Sequence, residues 1–265
     1  MLNIHPTAII ETGASIGQDV EIGPYCVIGP NVSIGDNCVL KSHVVIDGDT
    51  SIGASCTIHQ FACLGTIGNI LKPKDVAGRL VIGERNEIRE YVSIQAGHLS
   101  DDKLTLIGND NFIMVHSHIG HDCRVGDHNV IAVGVKLAGH VIVGNYTNLG
   151  GLAAVHQFCS IGSYAFVGGG SIVVGNVIPF GMVKGNHAVL EGLNLIGMKR
   201  RGFSKDDIHA TRHLFRDLFK SPNDKVFNDQ LKAARIKFAS TEATRMILDF
   251  IETANSRGFC RAGTL

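Results

Sequence analysis

Ile4, Ile10, Ile16, Ile22, Ile28, Ile34, Leu40, Ile46, Ile52, Ile58 and Leu64 are spaced by six without a miss. The series returns in phase at Ile82, Ile88 and Ile94. It then slips by one residue and runs every six from Ile107 through Ile119, Leu137 and Val155 to Val173. A period of six is a multiple of neither 3.6 nor 7, so amphipathic helices and coiled coils are excluded over this stretch. An extended hexapeptide with one inward aliphatic suits one side of a parallel β-helix, and a turn-permitting glycine often follows, as in Ile16-Gly17 and Ile22-Gly23. Three such sides close an 18-residue coil, and successive coils stack ~4.8 Å apart through backbone hydrogen bonds. Each coil buries its aliphatics on the next, so the repeat is stable only as an array.

Composition removes several functional classes. Lys and Arg number 24 and Asp and Glu 24, without the basic excess of a nucleic-acid binder. A chain 45% hydrophobic and 18% charged is not a disordered one. No window supplies the roughly eighteen consecutive apolar residues of a membrane span, so no integral membrane segment is expected. Met1-Leu2-Asn3-Ile4-His5-Pro6 lacks the basic region and apolar run of a signal peptide. The seven cysteines are scattered, with no C-x-x-C pair, and read as reduced core fillers of a cytoplasmic protein.

Of the 32 glycines, 27 lie at or before Gly185, which divides the chain. Residues 1–185 are expected to form the β-helix, with loop insertions near 66–79 and 97–106. Residues 186–265 are expected to form an α-helical domain. Ser204 is placed as an N-cap ahead of Ile208, Thr211, Leu214 and Leu218. A second helix follows Ser221-Pro222 through Leu231 and Phe238, and a third runs from about Ser240 to Ser256.

A β-helix needs no histidines, yet His116, His118, His121, His140 and His156 crowd one region. The 18-residue coil sets Asp122 beneath His140, His121 beneath Gly139 and Ala138 beneath His156, which predicts one histidine-rich edge over three coils. Solvated turn histidines would account for any one of them. Two chemistries would account for the group. Neutral imidazoles bind Zn²⁺, with ligands drawn from adjacent subunits. Alternatively one imidazole acts as general base beside a carboxylate, which His121-Asp122 favours.

The hexapeptide series resembles the hexapeptide-repeat proteins, whose prisms coil left-handedly. The resemblance implies an all-β left-handed parallel β-helix followed by a small α-helical C-terminal domain. Six stretches narrow it: His5-Pro6-Thr7-Ala8-Ile9, Leu40-Lys41-Ser42-His43-Val44-Val45, His118-Ile119-Gly120-His121-Asp122-Cys123, Leu137-Ala138-Gly139-His140-Val141, Ala154-Val155-His156-Gln157-Phe158-Cys159 and Lys199-Arg200-Arg201-Gly202-Phe203. With these the chain resembles, over nearly its whole length, the UDP-N-acetylglucosamine O-acyltransferases of lipid A biosynthesis.

That resemblance implies transfer of a 3-hydroxyacyl chain from acyl carrier protein to the 3-position of UDP-GlcNAc. It makes His121 the general base, Asp122 its orienting carboxylate and the Gly139 N–H the oxyanion donor. His118, His140, His156 and Gln157 match contacts to the nucleotide sugar or pantetheine arm. Asn194 and Arg200 match nucleotide contacts. Lys199, Arg201 and Lys205 would face the carrier protein, and Gly169 would set acyl length by leaving the groove open to a long chain. No metal and no dissociable cofactor is implied, because the phosphopantetheine arrives on the carrier protein. The family assembles as a homotrimer with its site between neighbours.

Relatives usually carry Gln-Asp-Leu-Lys in the first long loop, where this chain has Asn69-Ile70-Leu71-Lys72. Asn69 and Lys72 are retained as sugar contacts, but an isoleucine stands in place of the carboxylate. Ile196 also stands where some members have Glu. A 3-amino sugar acceptor, giving an amide, is therefore the alternative substrate. A zinc carbonic anhydrase and a non-catalytic scaffold are the readings from other classes.

Overall fold

The inward aliphatics of the six-residue series form three columns, one per side of a triangular prism, and from the second coil onward they are almost wholly buried. The computed structural model describes residues 3–69, 78–98, 102–219 and 227–262. Three parallel sheets form the faces, with every third strand neighbouring in space. The first face opens with Asn3–Ile4, the second with Ile9–Ile10 and the third with Ser15–Ile16. Registers such as Ile4 on Ile22 and Ile28 on Ile46 give the 18-residue coil. The one-residue slip in the sequence is absorbed between the second-face strand Ser93–Gln95 and the third-face strand Leu104–Ile107. The prism is a left-handed β-helix.

Each edge has one position with a left-handed backbone, and bulky residues occupy it. Tyr25, His43, Phe61, Tyr91 and His116 take φ near 60° along the first–second edge. Their rings stack in one column at centroid spacings of 4.8–5.0 Å. His128, Tyr146, Tyr164 and Phe180 form a second column on the third–first edge. Ring contact offsets part of the roughly 1–3 kcal/mol that such a backbone costs a non-glycine residue.

The ends differ. Among the described residues none packs beneath the first coil, and Ile4 is 38% and Ile9 58% exposed. The last coil is covered: Gly181–Lys184 and Val189–Leu193 pair antiparallel as a hairpin, and helices follow. Strand structure therefore runs past the expected boundary at residue 186, because the hairpin continues the first face. α1 (Leu195–Arg200), a short helix not anticipated from the sequence, is capped by Asn194, whose side chain accepts from the Gly197 N–H. α2 (Lys205–Phe219) begins at Ser204, which exchanges hydrogen bonds with Asp207. α3 (Phe227–Phe238) and α4 (Glu242–Glu252) complete the domain; α4 is capped by Thr241 and ends at Glu252, short of the expected Ser256. The tail then returns to the prism, where Asn255 bonds Asn176 and the Phe158 carbonyl. Among the described residues no helix is long and apolar enough to cross a membrane.

Candidate functional site

Both insertions leave the second face and return on the third, so they emerge over the same prism edge. Strand Cys63–Thr66 leads into the first and Arg79–Ile82 closes it. The second ends earlier than expected, because Leu104–Ile107 is already strand. This second–third edge carries His121, Asp122, Gly139, His140, His156 and Gln157, in the stacking order expected from an 18-residue coil. The His140 N–H bonds the His121 carbonyl, and Leu137 pairs with Val155.

Asp122 and His140 both occupy the left-handed turn position, at φ 60°. The Asp122 side chain is fully buried, and one oxygen accepts from the His98 backbone N–H at 2.9 Å. Its own backbone N–H donates to Thr105 Oγ1. The other oxygen, Oδ2, lies 2.7 Å from His121 Nδ1 and 3.6 Å from His140 Nε2. With Nδ1 tied to the carboxylate, His121 directs Nε2 outward. Two glycines let the ring sit there. A Cβ on Gly139 would lie 2.6 Å from Nε2 and Cε1, and a Cβ on Gly68 would lie 3.1 Å from Cδ2. The Gly139 N–H has no acceptor among the described residues. A buried carboxylate, an oriented imidazole and an unengaged N–H thus stand together at one solvent-reachable point. Cys123, immediately behind them, is held as a thiol because burial pushes it up to about 12.

The remaining predicted residues divide among several places. His140 is not free to face solvent alone: it stacks on Phe158 at 4.6 Å and meets the His121 ring edge-on. Burial lowers its pKa, against the pull of Asp122. His118 lies on the second face, hydrogen-bonded to Ser93 Oγ at 2.7 Å. His156 and Gln157 are exposed one coil further on. His116, expected on this edge, is instead on the first–second edge stacked against Tyr91, because it precedes its face strand rather than following it. Asn69 is exposed beside Gly68. Lys72 and Ile70 lie outside the described residues.

Asn194 and Arg200 line a separate cleft of about 550 Å³ with Tyr146, Tyr164, Phe166 and Ile196. Arg201 belongs to this cleft too, its guanidinium 4.5 Å over the Tyr146 ring. Lys199 and Lys205 are exposed beyond it. Gly169 is exposed on the first–second edge, where an added Cβ would meet only Gly151. The ring platforms were readable as residues 18 apart: His140 with Phe158, Tyr146 with Tyr164. The roles of Gly68 and His98 have no periodic signal, since the insertions bring them in, whereas Thr105 stands in the third-face strand one coil before Asp122.

Burial, followed by Lys136 and His121, lowers the His118 pKa from its ordinary 6.5. A histidine depressed in the folded state binds fewer protons there than in the unfolded chain, so it favours folding fully only above 6.5 and loses that contribution as pH falls. The thermal midpoint should therefore drop on acidification below that value, and drop less in His118→Gln. Equal slopes in a calorimetric pH series would reject the assignment.

A family model described as Udp N-acetylglucosamine O-acyltransferase, domain 2, matches residues 176–260. The bacterial transferase hexapeptide model matches residues 13–48 and 105–139. The chain is 46% identical to the acyl-(acyl-carrier-protein)–UDP-N-acetylglucosamine O-acyltransferase of Paraburkholderia phymatum, over 98% of this chain and 100% of that protein. It is 45% identical to the same-named protein of Burkholderia lata, with the same coverage. Among solved structures, LpxA of Acinetobacter baumannii superposes with a TM-score of 0.94 at 42% identity, covering 97% of this chain and 99% of that one. The UDP-N-acetylglucosamine acyltransferase of Campylobacter jejuni gives 0.91 at 33% identity, covering 98% and 100%.

Proposed function

The chain belongs to the UDP-N-acetylglucosamine O-acyltransferase family, and on that premise we propose how its residues carry out the transfer. It is an enzyme that moves an acyl chain from acyl carrier protein to UDP-GlcNAc, the opening step of lipid A biosynthesis. The acyl chain is a 3-hydroxyacyl group and the acceptor is the sugar 3-hydroxyl. His121 Nε2 takes the proton of that hydroxyl as its oxygen attacks the thioester carbonyl. Asp122 steadies the imidazolium that results. The Gly139 N–H receives the developing oxyanion, where a backbone donor with no Cβ lets the carbonyl approach. Collapse expels the pantetheine thiolate, which recovers the proton from His121. The observation that carries this reading is the His121–Asp122 pair set against an unengaged Gly139 N–H.

Arg200 and Asn194 bind the nucleotide, the guanidinium as phosphate partner. His118, His156, Gln157, Asn69 and Lys72 contact sugar or pantetheine, and Lys199 and Lys205 draw in the acidic carrier protein. Every step is assigned to residues of the chain itself and to groups the substrates bring, and the reaction takes place in the cytoplasm.

Within one chain the His121 edge and the Arg200 cleft lie on different edges of the prism. This separation supports a homotrimer in which neighbours share each site. Mixing His121→Ala chains with Arg200→Ala chains, each inactive alone, should restore about a quarter of the sites if assembly is random. No recovery from refolded mixtures would place the whole site in one chain.

The direct test is an acyl-transfer assay with UDP-GlcNAc and its 3-amino analogue across acyl lengths. Turnover of UDP-GlcNAc with 3-hydroxyacyl donors is expected. Preference for the amino analogue would reassign the acceptor and give Ile70 its meaning. Gly169 sits on the edge reached from His121 across Ala154 and Ile172 of the second face, stacked over Gly151. Gly169→Met should shorten the preferred chain by several carbons, because the side chain fills open groove. An unchanged length profile would remove Gly169 from that role.

A further inference from the structure

The side chains that orient the base also form a preassembled donor set for a transition metal. His121, Asp122 and His140 each present one ligand atom, all within 4.8 Å of one another. The set is two imidazole nitrogens and one carboxylate oxygen, the ligand type of open zinc sites that keep a fourth position for water. Tetrahedral zinc at bond lengths near 2.0–2.1 Å holds its ligands about 3.3–3.5 Å apart. Asp122 Oδ2 already lies 3.6 Å from His140 Nε2. It lies 2.7 Å from His121 Nδ1, so that hydrogen bond opens by roughly 0.6 Å to admit the ion.

Each donor is held from behind. The His98 N–H fixes the outer carboxylate oxygen, Phe158 backs the His140 ring, and Gly68 and Gly139 flank the His121 ring. Such supporting contacts are what orient ligands at established metal sites. The imidazoles are 15% and 20% exposed while the carboxylate is fully buried, so an ion enters between the two rings, which stand edge to face.

We propose that this cluster is an inhibitory site for Zn²⁺ and ions of similar preference. The ion takes Nδ1 of His121 and Oδ2 of Asp122, the two atoms whose mutual hydrogen bond prepares the base. Bound this way, the neutral imidazole carries its one N–H on Nε2 instead of Nδ1, so Nε2 donates and can no longer take the proton of the attacking hydroxyl. Mg²⁺ is excluded, because it prefers oxygen ligands in octahedral array. The loss of turnover rests on the proposed role of the His121–Asp122 pair. The binding does not.

The test is calorimetric titration of the metal-free full chain with ZnCl₂. One equivalent per chain is expected, and Co²⁺ in its place should give the visible absorption of a tetrahedral complex. Asp122→Asn and His140→Gln should each weaken binding at least about 10-fold, as loss of far lesser supporting groups does. His116→Gln, on another edge, should bind like wild type, and excess Mg²⁺ should not compete. Acyl transfer should fall with zinc occupancy and return with EDTA. Absence of saturable binding would overturn the proposal, as would equal affinity in the Asp122 and His140 variants, which would mark a surface histidine instead. Tight binding to a protein with no transferase activity even when metal-free would leave this site standing and overturn the catalytic assignment.

Discussion

His121→Ala should lower kcat by about 10²–10⁴-fold while the fold persists, the range lost when a positioned general base is removed. The side chain fills no part of the prism core. Its ring lies on an edge, bonded to Asp122 and flanked by glycines, so deletion exposes a carboxylate already held by the His98 N–H. Transfer measured under saturating donor and acceptor checks this, with thermal unfolding as the control. More than about a tenth of the wild-type rate would exclude His121 as base. A comparable loss accompanied by collapse of the thermal midpoint would make it structural.

Gly139→Ala should be nearly as damaging through a single methyl group. The backbone there is not left-handed, so alanine causes no strain of its own. The damage is steric: the new Cβ would sit 2.6 Å from His121 Nε2 and Cε1. Van der Waals contact requires the ring to withdraw by about 1 Å, and a reacting group misplaced by that much costs about 10²-fold in rate. Withdrawal has little room, because Nδ1 is tied to Asp122 and Gly68 packs against Cδ2. The same methyl obstructs the N–H that receives the oxyanion. A variant that keeps wild-type kcat would show that neither the ring nor the N–H is needed where it stands.

The sequence was most informative where residues 18 apart must touch. It placed His121 beneath Gly139 and Asp122 beneath His140, because the coil length converts sequence distance directly into stacking. His116 shows the limit of the argument. It lies only two residues before His118, yet His118 sits in the second-face strand while His116 precedes it at the first–second edge, so position within the hexapeptide decides the placement. The boundary at residue 186 followed glycine content, which reports turns rather than strands, and so missed the Val189–Leu193 half of the terminal hairpin. α1 spans six residues, too few to show a helical period, and it owes its start to the Asn194 cap. The contacts of Gly68 and His98 depend on where two insertions fold back. No local pattern encodes that.

The unequal ends of the prism give its stability a direction. A stack of coils in which each touches only its neighbours opens from whichever terminus is cheapest to release. The hairpin and the helices after it follow the last coil, whereas among the described residues the Asn3–Ile4 coil carries exposed aliphatics with no cover. Amide protons should therefore exchange fastest in the first coil and progressively more slowly toward the coils of His121 and His140. Those catalytic coils lie several layers inward. A fraying front that starts at the amino terminus must undo five or more layers before it disturbs the base, so the first turns act as sacrificial insulation for the chemistry.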